Sequence, residues 1–559
     1  MLIDGGAFGL YNDSGDNMEK IKITKPYRRW LFGGIGFHNS EATMTPIMSE
    51  KFRDERILKC FREISPTFSR VYGGFADWTK EAMDHFADYY DKTFRQSETL
   101  IYMVPGRMPM PTSDFDIEEY SEKIATKLEY LIKKRKCNKI RYFCVTNELS
   151  AGNTYAYMAN NLALFANLHD SLYRAFLRHG LDIGLLATDC SEEKNYHQIK
   201  WAIDNIDEIT ADYCTHLYLM KYQPGDLGAY EYCKNLFSGL TMQARVKQKR
   251  FILGEYGIFP QNRTMYSADT AMVSDLSYAA QHPENDGLHA LAVAEMSLAI
   301  LNSGTFAGVY WTLFDYPDPF IHENGDSPAS KAFYEASRFS GHGLSIRYNK
   351  HGLIKWCDDE QDYSSRAALY TMGYMAKFFK KGSRVLECLW DNENLRVGAV
   401  TNSDGSVSVC IINLGKEETE TEIVLEWPAN KPMRRYDFSA DNVPYNDFCD
   451  LQPFSALLEY DGKLNLTLGP KSVTFLTTDY FERKPSRIKG VKIKKGILSW
   501  KACRDEEHCY YRVYASDKPD FALDPKVQIA STVAEHCDIQ DERLYYRVVS
   551  VDKYGNVGE

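Results

Sequence analysis

Two glutamates stand at the ends of apolar, strand-like runs far apart in the chain. Glu148 lies in RYFCVTNELS (141–150), where Tyr142, Phe143, Cys144 and Val145 suit a sheet and then give way to Thr146-Asn147-Glu148. Glu255 lies in RFILGEYG (250–257), where Phe251-Ile252-Leu253 runs into Gly254-Glu255-Tyr256. Strands must end, and polar residues commonly mark the end. Two carboxyls facing each other across one cleft have a more specific use. One, protonated, gives its proton to a leaving oxygen. The other, ionised, attacks the carbon being released and forms an ester, which water resolves with the first carboxyl acting as base. That is the chemistry of glycosidic-bond cleavage, and it requires the two carboxyls to titrate differently.

Such a pair has to be brought together by the fold. From about residue 30 to 345 the chain repeats an apolar run, a loop and a helical stretch. The runs are WLFGGIGFHN (30–39), FSRVYGGF (68–75), TLIYMVPGR (99–107), IRYFCVTNE (140–148), IGLLATDC (183–190), DYCTHLYL (212–219), RFILGEYG (250–257) and FAGVYWTLFD (306–315). Helices are predicted between them, among them 116–135, 155–179 and 286–302. In the last of these, Leu288, Leu291, Ala292, Met296 and Ile300 recur near helical spacing. Eight strands alternating with helices give an α/β chain whose expected architecture is a (β/α)8 TIM barrel. A doubly wound open sheet is the alternative, but neither a GxGxxG nor a GxxxxGK[ST] run follows the first strand. In a barrel the C-terminal strand ends share one mouth. Strands 4 and 7 then place Glu148 and Glu255 on opposite sides of it.

Other strand ends supply further candidates. Strand 1 ends in Phe37 and His38, strand 2 in Arg70, strand 5 in Asp189 and strand 8 in Asp315. The two aspartates suit either a substrate hydroxyl or a helix cap. Arg107 after strand 3 suits a substrate carboxylate or plain solvent. The long segment 258–285 carries Tyr266, Tyr278 and His282 and is expected to wall the site.

Beyond about 345 the texture changes to short alternating runs with turn signals, and Ser403-Asp404-Gly405 reads as a hairpin turn. Residues 25–345 are assigned to the barrel and 346–480 to an antiparallel β-sandwich, to which KIKIT (20–24, within 18–25) could add a strand. Residues 484–559 form a third unit. Its Trp500 and Tyr-rich later strands resemble a fibronectin type III module.

Composition sets outer bounds. The chain has 559 residues, 44% hydrophobic and 26% charged, as expected of a globular protein of several domains. Its 38 Tyr and 8 Trp suit sugar binding as well as an aromatic-rich core. A net charge of −11 with only short basic runs, such as Lys133-Lys134-Arg135-Lys136, argues against nucleic acid as a partner. No run of about 18 apolar residues predicts a membrane span, and the N-terminus lacks the basic-then-apolar order of a secretion leader. The 13 cysteines show neither CxxC nor zinc spacing. A reducing, cytoplasmic setting without membrane contact is therefore expected. The expected partner is an oligosaccharide or glycoside, with no cofactor or metal required, and the sequence leaves homo-oligomerisation open.

TNE closing strand 4 and GEYG closing strand 7 resemble the clan A retaining glycoside hydrolases. The resemblance implies Glu148 as acid/base, Glu255 as nucleophile and Asn147 as holder of the sugar 2-hydroxyl. DYCTHLYL and VYWTLFD resemble strands 6 and 8 of glycoside hydrolase family 39, the β-xylosidase and α-L-iduronidase family. That implies His216 and Tyr218 near the nucleophile and Trp311 as a stacking floor. SRVYGG puts Arg70 where clan members often carry an arginine beside the nucleophile. The likeness spans roughly 20–480. The chain departs from it where Leu149-Ser150 follows Glu148 in place of Pro-Asn, and where Gly254 and Tyr256 flank Glu255 in place of Thr and Trp. The sugar is therefore left open. A barrel that binds carbohydrate without cleaving it is the alternative from another class. A metal-dependent hydrolase is a third, but it would need a His-x-His on strand 1, where this chain has Phe37-His38-Asn39.

Overall fold

The structure is a computed structural model that describes residues 18–25, 30–39, 49–73, 76, 78–97, 99–104, 115–149, 156–191, 193–220, 227–259, 283–318, 347–349, 352–355, 363–426, 431–539 and 543–558. Eight parallel strands close into a barrel. They are β1 Gly34–His38, β2 Phe68–Tyr72, β3 Leu100–Val104, β4 Ile140–Cys144, β5 Gly184–Ser191, β6 Asp212–Met220, β7 Phe251–Phe259 and β8 Ala307–Tyr310, with β8 returning to β1. Each falls within or beside one of the eight predicted runs. Strand alternation sorts the side chains. Phe68, Tyr102, Tyr142, Leu186, Cys214 and Ile252 fill the barrel interior. Val71, Ile101, Phe143, Leu185, Tyr213 and Phe251 pack outwards in the larger core.

An antiparallel sandwich flanks the barrel. Its four-stranded sheet runs Glu387–Leu389, Glu19–Thr24, Thr419–Leu425 and Lys463–Leu468, so the N-terminal KIKIT strand sits inside it, parallel to Thr419–Leu425. The opposing sheet has seven strands, with Val407–Asn413 and Ser472–Thr477 near its centre. These two read as continuous apolar runs because both faces are covered. Val409, Ile411 and Leu476 meet the four-stranded sheet, whereas Cys410, Ile412, Val473 and Phe475 join the barrel's core. Helix Pro283–Asn302 lies between barrel and sandwich. Its described side chains from Ala290 to Leu301 are all buried, so helical periodicity is faint in its sequence. Buried Glu295 on this helix pairs with buried Arg396 at 2.8 Å.

The C-terminal residues form two three-stranded antiparallel sheets. Leu498, Trp500, Tyr511, Val513 and Val548 pack between them. A buried polar cluster joins them to the rest. Lys59, on helix Leu58–Ile64, has no exposed surface and meets Asp450 at 2.5 Å and Glu63 at 3.1 Å. Asp450 also meets Arg512 at 3.0 Å and accepts from Gln528 at 2.9 Å and Ser531 at 3.0 Å. The Tyr510 hydroxyl donates to Glu63 at 2.8 Å. Barrel helix, sandwich loop and C-terminal sheet thus share one set of charges.

Opposite charges dominate the shifts here. Burial opposes ionisation of Asp450, but Lys59 and Arg512 outweigh it and hold the carboxyl well below its ordinary range. Removing one member of a buried ion pair costs about 3–5 kcal/mol. Asp450→Asn should lower the unfolding free energy by about that amount in urea melts. Because the native pKa is depressed, the Asp450 contribution is fully present above the unfolded-state value of about 4 and is lost as pH falls toward the native value. A variant as stable as the parent at neutral pH would contradict this account.

Candidate active site

The strand ends converge on one charged cluster at the barrel mouth. Glu255 on β7 meets Arg70 of β2 at 2.5 Å through Oε1 and accepts from the Tyr218 hydroxyl of β6 at 2.5 Å through Oε2. His216, two residues before Tyr218, turns Nδ1 to Glu148 Oε1 at 3.1 Å and to Glu255 Oε2 at 3.4 Å. Its Nε2 meets Asp189 Oδ1 of β5 at 2.8 Å. Asp189 Oδ2 in turn meets Arg70 at 3.1 Å, and the Tyr102 hydroxyl donates to Oδ1 at 2.5 Å. Arg70 also donates to the Asn147 side-chain oxygen at 2.6 Å, and the Asn147 amide donates to the Tyr72 hydroxyl at 3.1 Å.

Two irregularities in strand register create this convergence. Between β5 and β6, Thr188 pairs with Cys214 but Cys190 with Thr215, leaving Asp189 as an extra residue. Between β6 and β7, Thr215 pairs with Leu253 but His216 with Glu255, leaving Gly254 extra. One inserted residue reverses the alternation. Glu255 therefore faces inwards beside His216, and Tyr256 faces outwards to bond Ser297 at 2.8 Å. The two bulges face each other, and a Cβ on Gly254 would stand 2.9 Å from Asp189 Oδ1. Gly257 is a similar notch, where a Cβ would stand 3.3 Å from the Tyr218 ring. Both glycines of GEYG thus make room for β5 and β6 side chains. Asp189 and Glu148 hold positive φ, 55° and 56°. A carboxylate residue tolerates this left-handed region at some cost, and such strain gathers at functional sites.

Burial and charge set the protonation. Burial opposes a charge on His216, but Asp189 and Glu255 outweigh it, helped by the hydrogen bonds His216 donates to Asp189 and Glu148, and push the imidazole up to about 10. Asp189 is held well below the usual carboxylate range, its burial outweighed by His216 and Arg70. His38 moves the other way, pushed well down by burial and by Arg70 and His216. Burial raises Glu255 above its ordinary value against the opposing pull of Arg70, His216 and the Tyr218 phenol. The phenol acts in the direction expected from sequence, but desolvation outweighs it. Glu148 is the more accessible of the pair, its side chain 25% exposed against 5% for Glu255.

His38 stacks on Trp311 at 4.2 Å and also lies 3.3 Å from Arg70, so both belong to the cluster's aromatic wall with Tyr72. Phe37 does not belong to the site. It packs edge-on against Tyr310 in the outer core, because alternation turns it away from the mouth when His38 faces in. Asp315 is also taken up elsewhere, meeting Arg366 at 2.5 Å and accepting from the Gly352 amide at 2.9 Å. Arg107, Tyr266, Tyr278 and His282 lie outside the described residues. Asp189 is neither a helix cap nor a solvent-facing hydroxyl binder. It is fully buried between the two cations. Tyr72 and Tyr102 went unmarked in the sequence; Tyr72 stands two residues past Arg70, which was the available signal, whereas Tyr102 pairs with Arg70 across strands and left none.

Among the described residues, two groups of side chains have donor atoms close enough to hold a metal ion, Glu148-His216-Glu255 and Cys144-Asp189-Cys214, each set within 4.8 Å. At the first set a cation would have to displace the proton that the carboxylates hold on His216 and compete with Arg70 for Glu255. In the second set, burial pushes the Cys214 thiol far up, away from the thiolate.

The architecture is a (β/α)8 barrel carrying an antiparallel β-sandwich, the class of fold that many glycoside hydrolases share. No family model matches the chain, and no curated protein matches it by sequence. Solved structures do. The catalytic domain of family 30 xylanase C from Talaromyces cellulolyticus superposes with a TM-score of 0.54 at 14% identity, over 82% of this chain and 99% of that one. The family 51 arabinofuranosidase from Xanthomonas axonopodis pv. citri gives 0.53 at 12% identity, over 82% and 99%. A bacterial orthologue of human α-L-iduronidase gives 0.55 at 12% identity, over 97% and 99%.

Asp189→Asn should lower the His216 pKa well below its value of about 10, as read by NMR titration of the imidazole. The His216 contribution to folding is full below about 6.5 and lost as pH rises through the native value. An unchanged titration would remove Asp189 from its assigned role.

Proposed function

We propose that the protein is a retaining glycoside hydrolase, with Glu148 as acid/base and Glu255 as nucleophile. One observation carries the reading: an oxygen of each carboxyl lies within 4.8 Å of the other, with His216 between them. Retaining enzymes hold their carboxyls about 5–5.5 Å apart, whereas inverting ones leave about 6.5–9.5 Å for a water. The environments of the two carboxyls also differ, Glu255 being buried and Glu148 partly open. Glu255 is fixed by Arg70 and Tyr218, as an in-line nucleophile must be. Glu148 is open enough to exchange its proton with solvent.

Asn147, anchored by Arg70 and Tyr72, is assigned the sugar hydroxyl next to the reacting carbon, and Trp311 the wall along the ring. The likeness to xylanase, arabinofuranosidase and iduronidase folds supports the class without naming the sugar. The family 39 resemblance of DYCTHLYL and VYWTLFD favours a β-xylosidase-like or related exo-glycosidase.

A panel of nitrophenyl glycosides tests this with the parent, Glu148→Ala and Glu255→Ala. The parent should release nitrophenol with net retention at the anomeric carbon. Glu148→Ala should lose about 10²–10⁴-fold on substrates with poor leaving groups. Azide should restore turnover in one or both variants. No cleavage of any glycoside by the parent would refute the reading.

The pH profile offers a second check. Glu255 must be ionised to attack, and its pKa is raised. The acid limb of kcat/KM should therefore fall above the ordinary glutamate value of about 4.3. Tyr218→Phe removes a bond that favours the charged form and should move that limb to still higher pH. A limb that stays in place or moves down would contradict the assignment of Glu255.

A further inference from the structure

From Arg483 to Arg504 the chain carries nine Lys and Arg and neither Asp nor Glu, within a protein of net charge −11. All nine are exposed. The segment builds the edge strand Lys492–Lys494 and its neighbour Ile497–Ser499, which pairs in turn with His536–Asp538. Lys489, Lys492, Lys494, Lys495 and Lys501 enter no ion pair among the described residues. Asp538, the nearest acid within the sheet, stands on the strand farthest from the lysine edge. The net acidity of the whole chain hid this concentration from the compositional reading.

A lysine or two suffices to keep an edge strand from pairing with another chain. Here the charge continues on both sides of the strand, well past what edge protection requires. Aliphatic side chains are interleaved with it: Val491, Ile493 and Ile497 are 41%, 54% and 41% exposed. The only aromatic of the segment, Trp500, is buried against Tyr511. It therefore offers no ring platform for a sugar or a nucleic-acid base. Flexible ammonium groups beside exposed aliphatics match a surface that is anionic outside and apolar just beneath.

We propose that this sheet edge is a docking surface for an anionic lipid bilayer, with the lysines at the headgroups and Ile497, which pairs with Lys494 on the same face, entering the interface. The expectation of no membrane contact came from the lack of a spanning helix, which peripheral docking does not need. The proposal is independent of the barrel's chemistry and is read without any hydrolysis assay.

Co-sedimentation of the full chain with vesicles of equal parts phosphatidylserine and phosphatidylcholine tests it. Binding to these vesicles, its absence on phosphatidylcholine alone and its decline with salt are expected. The triple variant Lys492→Glu, Lys494→Glu, Lys495→Glu should bind at least about 100-fold more weakly. Ile497→Ser should weaken binding while leaving its salt dependence. All four positions are exposed, so thermal melts should match the parent and exclude misfolding as the cause. Failure of the parent to sediment, or a triple variant that binds as the parent does, would overturn the proposal. So would full retention of vesicle binding by the isoleucine variant together with complete competition by soluble dextran sulfate, since a dissolved polyanion would then be the ligand.

Discussion

Two buried cations held against buried carboxylates are the constraint on which the barrel mouth depends. Arg70 and His216 have no exposed surface, and neither could stay charged there alone. Asp189 touches both and Glu255 touches both, so each cation is shared between two anions. Sharing makes the arrangement rigid. Arg70 cannot leave Asp189 without losing Asn147, and His216 cannot turn without leaving either Asp189 or the glutamates. The positions of Asn147, Glu148 and Glu255 follow from this lattice of charges as much as from their own strands.

The lattice needs strand 5 and strand 7 to break their alternation, and here the limit of sequence reading has a physical cause. The eight strands were visible because each is an apolar run closed by a polar tip. Glu148 and Glu255 were visible because they are those tips. The bulges at Asp189 and Gly254 were not, since a bulge is a relation between two strands and leaves no pattern within one. Gly254 was read as a departure from a family motif. Its use is the space it leaves for Asp189 beside His216. Phe37 was misplaced by the same reasoning in reverse, for the last two residues of a strand point to opposite faces and only His38 faces the mouth.

Outside the mouth, polar pairs between layers hold the larger assembly in register. Apolar surfaces let a sheet slide on a helix at small cost, whereas a buried Arg396–Glu295 pair permits one position. The cluster around Lys59 does the same for the C-terminal sheets. A sequence shows such residues as ordinary surface charges. Lys59 and Glu63 are one helical turn apart and read as a solvent-facing pair, and only the packing of Asp450 and Tyr510 over them makes them interior.

The charge count at the mouth also bears on how the two glutamates divide the proposed reaction. In the proposed reaction Glu148 starts with the proton, and Asp189 and ionised Glu255 then balance Arg70 and protonated His216, so the set is neutral. Glycosyl transfer to Glu255 turns that carboxylate into an uncharged ester, and the proton leaves Glu148 with the departing oxygen. The lost charge on Glu255 is replaced by a new one on Glu148, and the set remains neutral. His216 Nδ1 lies 3.1 Å from Glu148 and 3.4 Å from Glu255. It can therefore favour whichever of the two is ionised without moving through the site. Hydrolysis of the ester reverses the exchange. Two steps of opposite proton demand then run against one fixed background of charge, as electrostatic preorganisation requires.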